Sequence, residues 1–271
     1  KAVSSLLKRG IKNWRRFMKK QLNVSLICPV YNEEGNIRVL IDSMLAQTKK
    51  PDEIIFVDNF SEDKTSEIIN SYSGKGVKLI QKKSNIGKAR NIGVKKSKNE
   101  IIACTDASSR LDKNWLKELV SSFEDDSVDV VSGGYVGVSR GPIQDCIKHL
   151  TIRPMNLWEE KTFLPSGRSI AFRKSIWNKV GGYPEVFLTG EDTLFSLNLK
   201  EVGAKFKLNK KAIVYWEVRK NIRQFAKQFY LYGKGDKKMG NLFKMKKNLF
   251  LVFGFWFYLF CSCCLFFLFL D

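Results

Sequence analysis

Short apolar runs alternate with longer amphipathic segments along residues 23–132. The runs predict strands over 24–28, 53–57, 77–81, 101–105 and 129–132, because each is short enough to be a buried strand. The segments between them predict helices over 35–46, 66–72, 87–96 and 115–123. Strands separated by helices of this length form βαβ units with a mostly parallel sheet. The pattern therefore predicts an α/β domain.

Polar loops follow three of these predicted strands and carry the acidic residues Glu33, Asp58 and Asp106. Because parallel strands end at the same edge of an open sheet, we expect the three loops to converge on one ligand crevice. Acidic residues are also common in turns and at helix N-termini, where they have a purely structural role. The pattern alone leaves both interpretations open for each residue.

Positive charge is concentrated at the two ends of the chain. The formal net charge is +20, residues 1–20 carry eight basic residues and no acidic one, and residues 205–247 are almost as one-sided. Such asymmetry indicates an anionic partner, either nucleic acid, anionic lipid or a phosphorylated substrate. Nucleic acid is the least favoured of these, because no zinc-finger, helix-turn-helix or aromatic RNA-binding signature accompanies the charge.

A long apolar run, LFLVFGFWFYLFCSCCLFFLFL, occupies residues 249–270. As a helix it would extend roughly 33 Å, which is enough to cross the hydrocarbon core of a bilayer. Three lysines lie just before it, at 244, 246 and 247. The positive-inside rule then places the preceding domain on the cytoplasmic face of the cell membrane. The run predicts a C-terminal transmembrane helix.

The first residues predict an amphipathic helix. Its apolar side chains fall on one face, opposite the basic residues: Val3, Leu6, Leu7, Trp14, Phe17 and Met18. This pattern is typical of a helix that lies in a membrane interface, although packing onto the protein's own surface fits nearly as well. We therefore divide the chain into an amphipathic helix (1–22), an α/β domain (23–240, with halves 23–132 and 133–240) and a basic flank with a transmembrane helix (241–271).

Four motifs within residues 23–240 resemble those of the family-2 glycosyltransferases with the GT-A fold. They are VSLICPVYNEEGNIRVLIDSMLAQTKKPDEIIFVDNFSEDKT at 24–65, NIGKARN at 85–91, TDAS at 105–108 in the place of the D-x-D motif, and GEDTLF at 190–195. A further segment, QFAKQFYLYGK at 224–234, resembles one that follows in some members. Each motif is weak alone, but four in the right order are specific. The resemblance implies a Rossmann-like GT-A sheet flanked by helices.

The resemblance also implies which residues meet a nucleotide-diphosphate sugar. The nucleotide-sugar-binding candidates are Pro29, Tyr31, Glu33, Asp58, Lys88, Arg90, Asn91, Asp106, Ala107 and Ser108. Within this set the resemblance puts Asp58 on the base, and the cations at the start of the third helix suit a phosphate. The candidates for contact with the sugar or the acceptor are Ser166, Gly167, Arg168 and Ser169.

Catalysis by inversion needs a base that takes the proton of the acceptor hydroxyl. The resemblance assigns this role to Asp192, with Glu191 beside it as an orienting or acceptor-contacting group. Gly190 and the apolar residues after Asp192 predict that the pair lies at a helix N-terminus, which would keep the base ionised. A plain helix cap would show the same pattern.

The D-x-D motif is incomplete, because Ser108 stands where the resemblance implies a metal-binding carboxylate. A metal-binding histidine that is frequent in the family is also absent from its expected place, where the sequence is VYWE at 214–217. We still expect Mg²⁺ or Mn²⁺ at Asp106 together with the diphosphate. Arg168 or Arg219 could otherwise supply part of the positive charge.

The sequence therefore predicts an inverting glycosyltransferase at the cytoplasmic membrane face that acts on a lipid-linked (polyprenyl) glycan. One alternative is a polyprenyl-phosphate sugar synthase, which would glycosylate the lipid phosphate itself. The other is a non-catalytic sugar-nucleotide-binding membrane module, and the incomplete D-x-D motif favours that reading. The intact Glu191–Asp192 pair favours an enzyme.

Overall fold

A computed structural model of the chain describes residues 22–238. No helix within this range is both long and apolar enough to span a membrane. The predicted transmembrane helix at 249–270 and all but the last residue of the predicted amphipathic helix at 1–22 lie outside the described residues. Both stay predictions.

The described residues form eight strands in one sheet. The strands are β1 (Val24–Val30), β2 (Glu53–Asp58), β3 (Val77–Gln81), β4 (Ile101–Cys104), β5 (Ser109–Leu111), β6 (Val130–Val138), β7 (Ile170–Arg173) and β8 (Phe206–Glu217). The helices are α1 (Ile37–Leu45), α2 (Thr65–Asn70), α3 (Ile86–Lys96), α4 (Trp115–Ser121), α5 (Pro142–Thr151), α6 (Lys174–Lys179), α7 (Glu191–Glu201) and α8 (Ile222–Lys238). The predicted strands and helices of residues 23–132 are all present, with ends shifted by a few residues.

The strand order is β3-β2-β1-β4-β7-β6-β8-β5. Strands β1 to β4 pair in parallel, as predicted, and form a Rossmann-like half. Beyond β4 the sheet is mixed, because β7 runs antiparallel to both β4 and β6, while β6 and β8 are parallel. The two predicted halves of the domain thus share a single sheet.

The prediction that the fifth strand ends at residue 132 was wrong, because β6 continues to Val138. Glycines at 133, 134 and 137 interrupt the apolar pattern of this stretch. Gly133 and Gly134 instead mark a shift in register against β8. A Cβ on Gly133 would lie 2.0 Å from the Ser169 hydroxyl and 2.7 Å from the Ala212 carbonyl oxygen. Position 133 needs glycine because the segments that carry Ser169 and Ala212 approach its backbone so closely.

Helices cover both faces of the sheet. Alternate residues of β1 face opposite sides, so that Leu26 packs in the core with α1 and α4, whereas Ile27 packs in the core with α3, α6 and α7. Strands buried on both faces need apolar side chains at nearly every position. This explains why β1, β2 and β4 appear in the sequence as mostly apolar runs.

Candidate active site

Two adjoining cavities lie at the carboxyl ends of the central strands. The first, of about 360 Å³, lies beyond β1 and against the start of α3. The second, of about 440 Å³, lies between the N-terminus of α7, the loop before β7 and helix α8. Asp106 and Ser108 line both, so the loop after β4 forms the passage between them. The volumes are within the range typical of small-molecule sites.

The first cavity collects most of the residues predicted to meet the nucleoside. Pro29, Tyr31, Glu33 and Ala107 all line it. Burial raises the pKa of Glu33, against the opposing effect of the Asn36 amide, which donates to its carboxylate at 2.8 Å. A partly desolvated carboxylate at the end of a parallel strand can accept hydrogen bonds from a ligand.

Asp58 does not lie at the first cavity with the other residues predicted to meet the nucleoside. It is fully buried and does not line either cavity, whereas the next residue, Asn59, lines the first one. Its carboxylate accepts hydrogen bonds from the hydroxyls of Ser61 (2.5 Å) and Ser66 (2.7 Å) and from the Gln81 amide (3.2 Å). Asp58 therefore orders the loop after β2, and its predicted contact with a base stays a prediction.

Arg90 is the electrostatic centre of the site. Its side chain is 1% exposed, and its two terminal nitrogens lie 2.5 Å from the Glu191 carboxylate and 2.7 Å from that of Asp106. Burial alone would lower the pKa of Arg90, but the two carboxylates outweigh it and raise that pKa well above its usual value. Arg90 thus joins α3, α7 and the loop after β4. Since two of its nitrogens are already engaged by carboxylates, the structure does not favour the predicted phosphate contact.

The other two predicted residues of α3 lie outside both cavities. Lys88 is exposed, and its backbone N–H donates to the side chain of Asn85, which caps the helix. Asn91 is buried, with its amide bonded to Trp177, Tyr183 and Glu185. Asn91 consequently fixes the segment before α7, and the structure does not bring it to a ligand.

Glu191 and Asp192 lie in the first turn of α7, as the sequence pattern predicted. The chain enters the helix through Gly190, whose φ of 82° is left-handed and suits glycine. Both carboxylates line the second cavity. Burial raises the pKa of Glu191, with Arg90 opposing the effect. Glu191 is engaged by Arg90, whereas Asp192 is less buried and forms no ion pair with another described residue, so the Asp192 carboxylate is the one available to a ligand.

Backbone amides orient the Asp192 carboxylate. One oxygen accepts from the Gly167 N–H at 2.9 Å and the other from the Thr193 N–H at 2.8 Å. These bonds leave lone pairs on both oxygens, because each carboxylate oxygen can accept more than one hydrogen bond. The Asp192 carboxylate is therefore held in a fixed orientation and can still accept a proton.

The loop before β7 supplies two of the four predicted sugar or acceptor contacts. Ser166 and Arg168 line the second cavity. Gly167 contributes the backbone donor to Asp192. Ser169 is fully buried, and its hydroxyl accepts from the indole N–H of Trp115 at 2.9 Å. The prediction for Ser169 is therefore not supported, because its side chain points into the core.

Gly167→Ala is expected to destabilise the fold by about 1–3 kcal/mol, the usual effect of overpacking. A Cβ at this position would lie 2.1 Å from a terminal nitrogen of Arg90, and that guanidinium is held on two sides by carboxylates. Urea unfolding measures the effect. The matched control is Gly35→Ala, where a Cβ meets open space. Equal losses in the two variants would contradict the close packing at Gly167.

Several lining residues of the second cavity were missed by the sequence analysis. They are Tyr135 on β6, Trp216 on β8, Thr189 before α7, and Tyr232 and Asp236 on α8. Tyr135 lies beyond residue 132, where the predicted fifth strand ended. The two α8 residues lie in or next to a segment that only the family resemblance drew attention to. They reach the cavity because α8 packs against the segment before α7, where the Thr189 hydroxyl donates to the Leu231 carbonyl oxygen.

The protein groups around Asp106 do not fit a hard divalent cation. Such ions prefer several carboxylate or carbonyl oxygens. Here Asp106 is the single acid of its loop, its oxygens face Arg90 at 2.7 Å and Arg168 at 3.8 Å, and Ser108 offers only a hydroxyl. Within residues 22–238, no three His, Cys, Asp or Glu side chains are grouped so that they could hold a metal. Mg²⁺ or Mn²⁺ at Asp106 stays a prediction, and no step below passes through a metal.

Residues 25–181, more than half of the chain, match the family model described as glycosyl transferase family 2. The chain belongs to this family. The match covers β1 to α6 and includes every residue that lines the first cavity except Leu188, the loop after β4 and the loop before β7. It ends before Glu191 and Asp192.

Individual relatives of this family-2 chain agree with that assignment. It is 28% identical to the probable glycosyltransferase YdaM of Bacillus subtilis, over 89% of this chain and 62% of YdaM. It is 27% identical to the glycosyltransferase AglE of Haloferax volcanii, over 66% of this chain and 62% of AglE. The chain therefore spans less than two thirds of the length of either relative.

A solved structure supports the GT-A-like fold of this family-2 chain. The crystal structure of Staphylococcus aureus TarS 1-349 in complex with UDP superposes with a TM-score of 0.58 at 26% identity, over 73% of this chain and 61% of the other. TarS is described as a poly(ribitol-phosphate) beta-N-acetylglucosaminyltransferase.

Proposed function

We propose that this family-2 chain transfers a sugar from a nucleotide-diphosphate sugar to an acceptor hydroxyl, with inversion at the anomeric carbon. The observation that carries the proposal is the orientation of Asp192, whose carboxylate is fixed by two backbone amides in a cavity that joins the first cavity at Asp106 and Ser108. The proposed catalytic base lies on one side of the passage, and a cavity large enough for a nucleoside lies on the other. The sugar end of the donor would then lie beside Asp192, and its nucleoside end in the first cavity.

The first cavity is the place proposed for the nucleoside. Pro29 and Tyr31 offer apolar surface to a base and ribose, and Glu33 offers a hydrogen-bond acceptor. The diphosphate would then lie at Asp106 and Ser108, with the sugar in the second cavity. The related TarS structure with bound UDP supports a nucleoside diphosphate as the ligand.

Asp192 is the proposed catalytic base. The acceptor oxygen forms a bond to the anomeric carbon, while the bond from that carbon to the diphosphate oxygen breaks and its electron pair leaves with the diphosphate. The hydroxyl proton passes to Asp192. The N-terminus of α7 favours the ionised carboxylate, which is the form that accepts the proton. Glu191 orients the site through its ion pair with Arg90.

The proposed acceptor is a lipid-linked (polyprenyl) glycan at the cytoplasmic face of the cell membrane. The basic segment 205–247 and the predicted transmembrane helix at 249–270 support it. In the described residues, Leu188 lines both cavities and is 73% exposed, and Val186 near it is 66% exposed. An apolar rim of this kind suits a lipid-anchored substrate.

The test is a scan of nucleotide-diphosphate sugars for release of the nucleoside diphosphate by the full chain, with and without a membrane lipid extract. We expect release from one donor class, and an increase when the extract supplies the acceptor. Full-length protein should also stay with membranes in alkaline carbonate. No release from any donor would contradict sugar transfer, whereas release that is equal without lipid would contradict only the lipid-linked acceptor.

A further inference from the structure

The Arg168 guanidinium packs against two aromatic rings in the second cavity. Its guanidinium carbon lies 4.1 Å from the centre of the Trp216 ring and 5.0 Å from that of Tyr135. Its carbonyl oxygen accepts a hydrogen bond from the Thr105 hydroxyl at 2.9 Å, next to the loop that carries Asp106. The guanidinium of Arg168 is therefore positioned by β6 and β8, and its backbone by Thr105, which follows β4.

The charge of Arg168 is less neutralised than that of Arg90. Arg90 makes close bonds to two carboxylates, whereas Arg168 has a single carboxylate at 3.8 Å, that of Asp106. Its guanidinium donates no hydrogen bond to any described residue, and its buried Nε has no hydrogen-bond partner, although it is the atom that lies 3.8 Å from the Asp106 carboxylate. Arg168 thus presents a fixed positive charge with unused donors at the passage between the cavities.

The aromatic neighbours hold the guanidinium without consuming its donors. Stacking on a ring face leaves the N–H groups in the guanidinium plane free for an anion. The Trp216 indole has an N–H donor and no acceptor, so it cannot coordinate a cation. The surroundings of Arg168 therefore suit an anionic ligand and do not suit a metal ion.

We propose that Arg168 stabilises the departing diphosphate, and that this fixed guanidinium takes the place of a divalent metal ion in the reaction. The proposal rests on the function proposed above. As the bond between the anomeric carbon and the diphosphate oxygen breaks, the electron pair stays on the diphosphate, whose negative charge rises. Preorganised donors aimed at developing charge stabilise it strongly when water is excluded. Arg168 has this arrangement beside Asp106 and Ser108.

The test is binding of uridine, guanosine, cytidine and thymidine diphosphates to the full chain by titration calorimetry, in EDTA and in Mg²⁺. We expect the affinity for the diphosphate that binds to differ by less than about twofold between the two conditions. Arg168→Gln should weaken it by about 10- to 100-fold in both, the usual effect of losing hydrogen bonds to a charged group. Arg168→Lys should retain part of the affinity.

The matched control is Arg110→Gln. Arg110 stacks on Tyr215 at 4.1 Å, the same distance as Arg168 on Trp216, but it is exposed and lines neither cavity. Its loss should leave diphosphate affinity unchanged, and the free nucleoside should bind wild type and Arg168→Gln equally, which shows that the first cavity is intact.

Three outcomes would overturn the inference. If binding is lost in EDTA and restored by Mg²⁺, a metal ion and not Arg168 supplies the positive charge that binds the diphosphate. The proposal of sugar transfer would not be affected by this result. Wild-type affinity in Arg168→Gln would remove Arg168 from the role. No binding of any nucleoside diphosphate under either condition would overturn both this inference and the proposed function.

Discussion

Asp192→Asn is expected to reduce sugar transfer by about 10²–10⁴-fold, which is the contribution of a positioned general base. The Asn side chain is nearly the same size, but it has one acceptor oxygen and can keep only one of the two hydrogen bonds from the Gly167 and Thr193 N–H groups. It cannot take a proton from the acceptor hydroxyl. The lost hydrogen bond should lower the free energy of unfolding by about 1–3 kcal/mol, so the protein should still fold. The affinity for a nucleoside diphosphate should stay close to wild type, because Asp192 lines the second cavity and not the first. Initial rates of diphosphate release and titration calorimetry measure the two effects separately.

The matched control for this variant is Asp145→Asn. Asp145 is also an acidic residue in the first turn of a helix, α5, but its side chain is 53% exposed and lies outside both cavities. Its replacement should leave transfer unchanged. Transfer at the wild-type rate in Asp192→Asn would remove Asp192 from the role of base. A loss of nucleoside diphosphate affinity equal to the loss of rate would instead indicate a structural effect.

Arg90→Met is expected to lower the free energy of unfolding by about 3–5 kcal/mol, the usual result of removing one partner of a buried ion pair. The change leaves Glu191, whose side chain is 6% exposed, without its counter-charge, and it also removes the closest partner of Asp106. Such a loss is a large fraction of the stability of an ordinary domain. Urea unfolding followed by circular dichroism measures it.

Two comparisons separate the buried charge from the loss of a side chain. Arg140→Gln removes an ion pair whose arginine is 75% exposed, and it should change the unfolding free energy by only about 0–1 kcal/mol. The double variant Arg90→Met/Glu191→Gln should be more stable than Arg90→Met, because the unpaired carboxylate is gone. If the double variant is no more stable, packing of the Arg90 stem and not its charge stabilises the site.

The pH dependence of Arg90→Met follows from Glu191. Burial already raises the pKa of this carboxyl, and the loss of Arg90 removes an effect that opposes the rise. The folded variant then binds this proton more tightly than the unfolded chain does. Its destabilisation should be complete above the folded-state pKa of Glu191 and should shrink as the pH falls toward the ordinary value of 4.5.

The sequence by itself determined the local elements and the order of the motifs. Strands β1, β2 and β4 were predicted correctly because they are buried on both faces, so that burial shows directly as a mostly apolar run. The position of Glu191 and Asp192 in the first turn of α7 was also predicted, because a glycine before the pair and apolar residues after it mark a helix start. These features depend on neighbours in the chain.

The tertiary structure alone decided which polar side chains meet. Arg90 and Glu191 are separated by 101 positions, and their ion pair forms only because α3 and α7 pack on the same face of the sheet. Likewise Arg168 stacks on Tyr135 and Trp216 because β7 lies between β4 and β6 in the sheet, an order that differs from the order along the chain. Ser169, next to Arg168, closes a turn in which its N–H donates to the Ser166 carbonyl oxygen, and its side chain lies in the core beside Trp115. A motif indicates which residue types lie near a site. The packing of distant strands and helices decides which of these side chains face the cavity, and which arginine makes no close bond to a carboxylate.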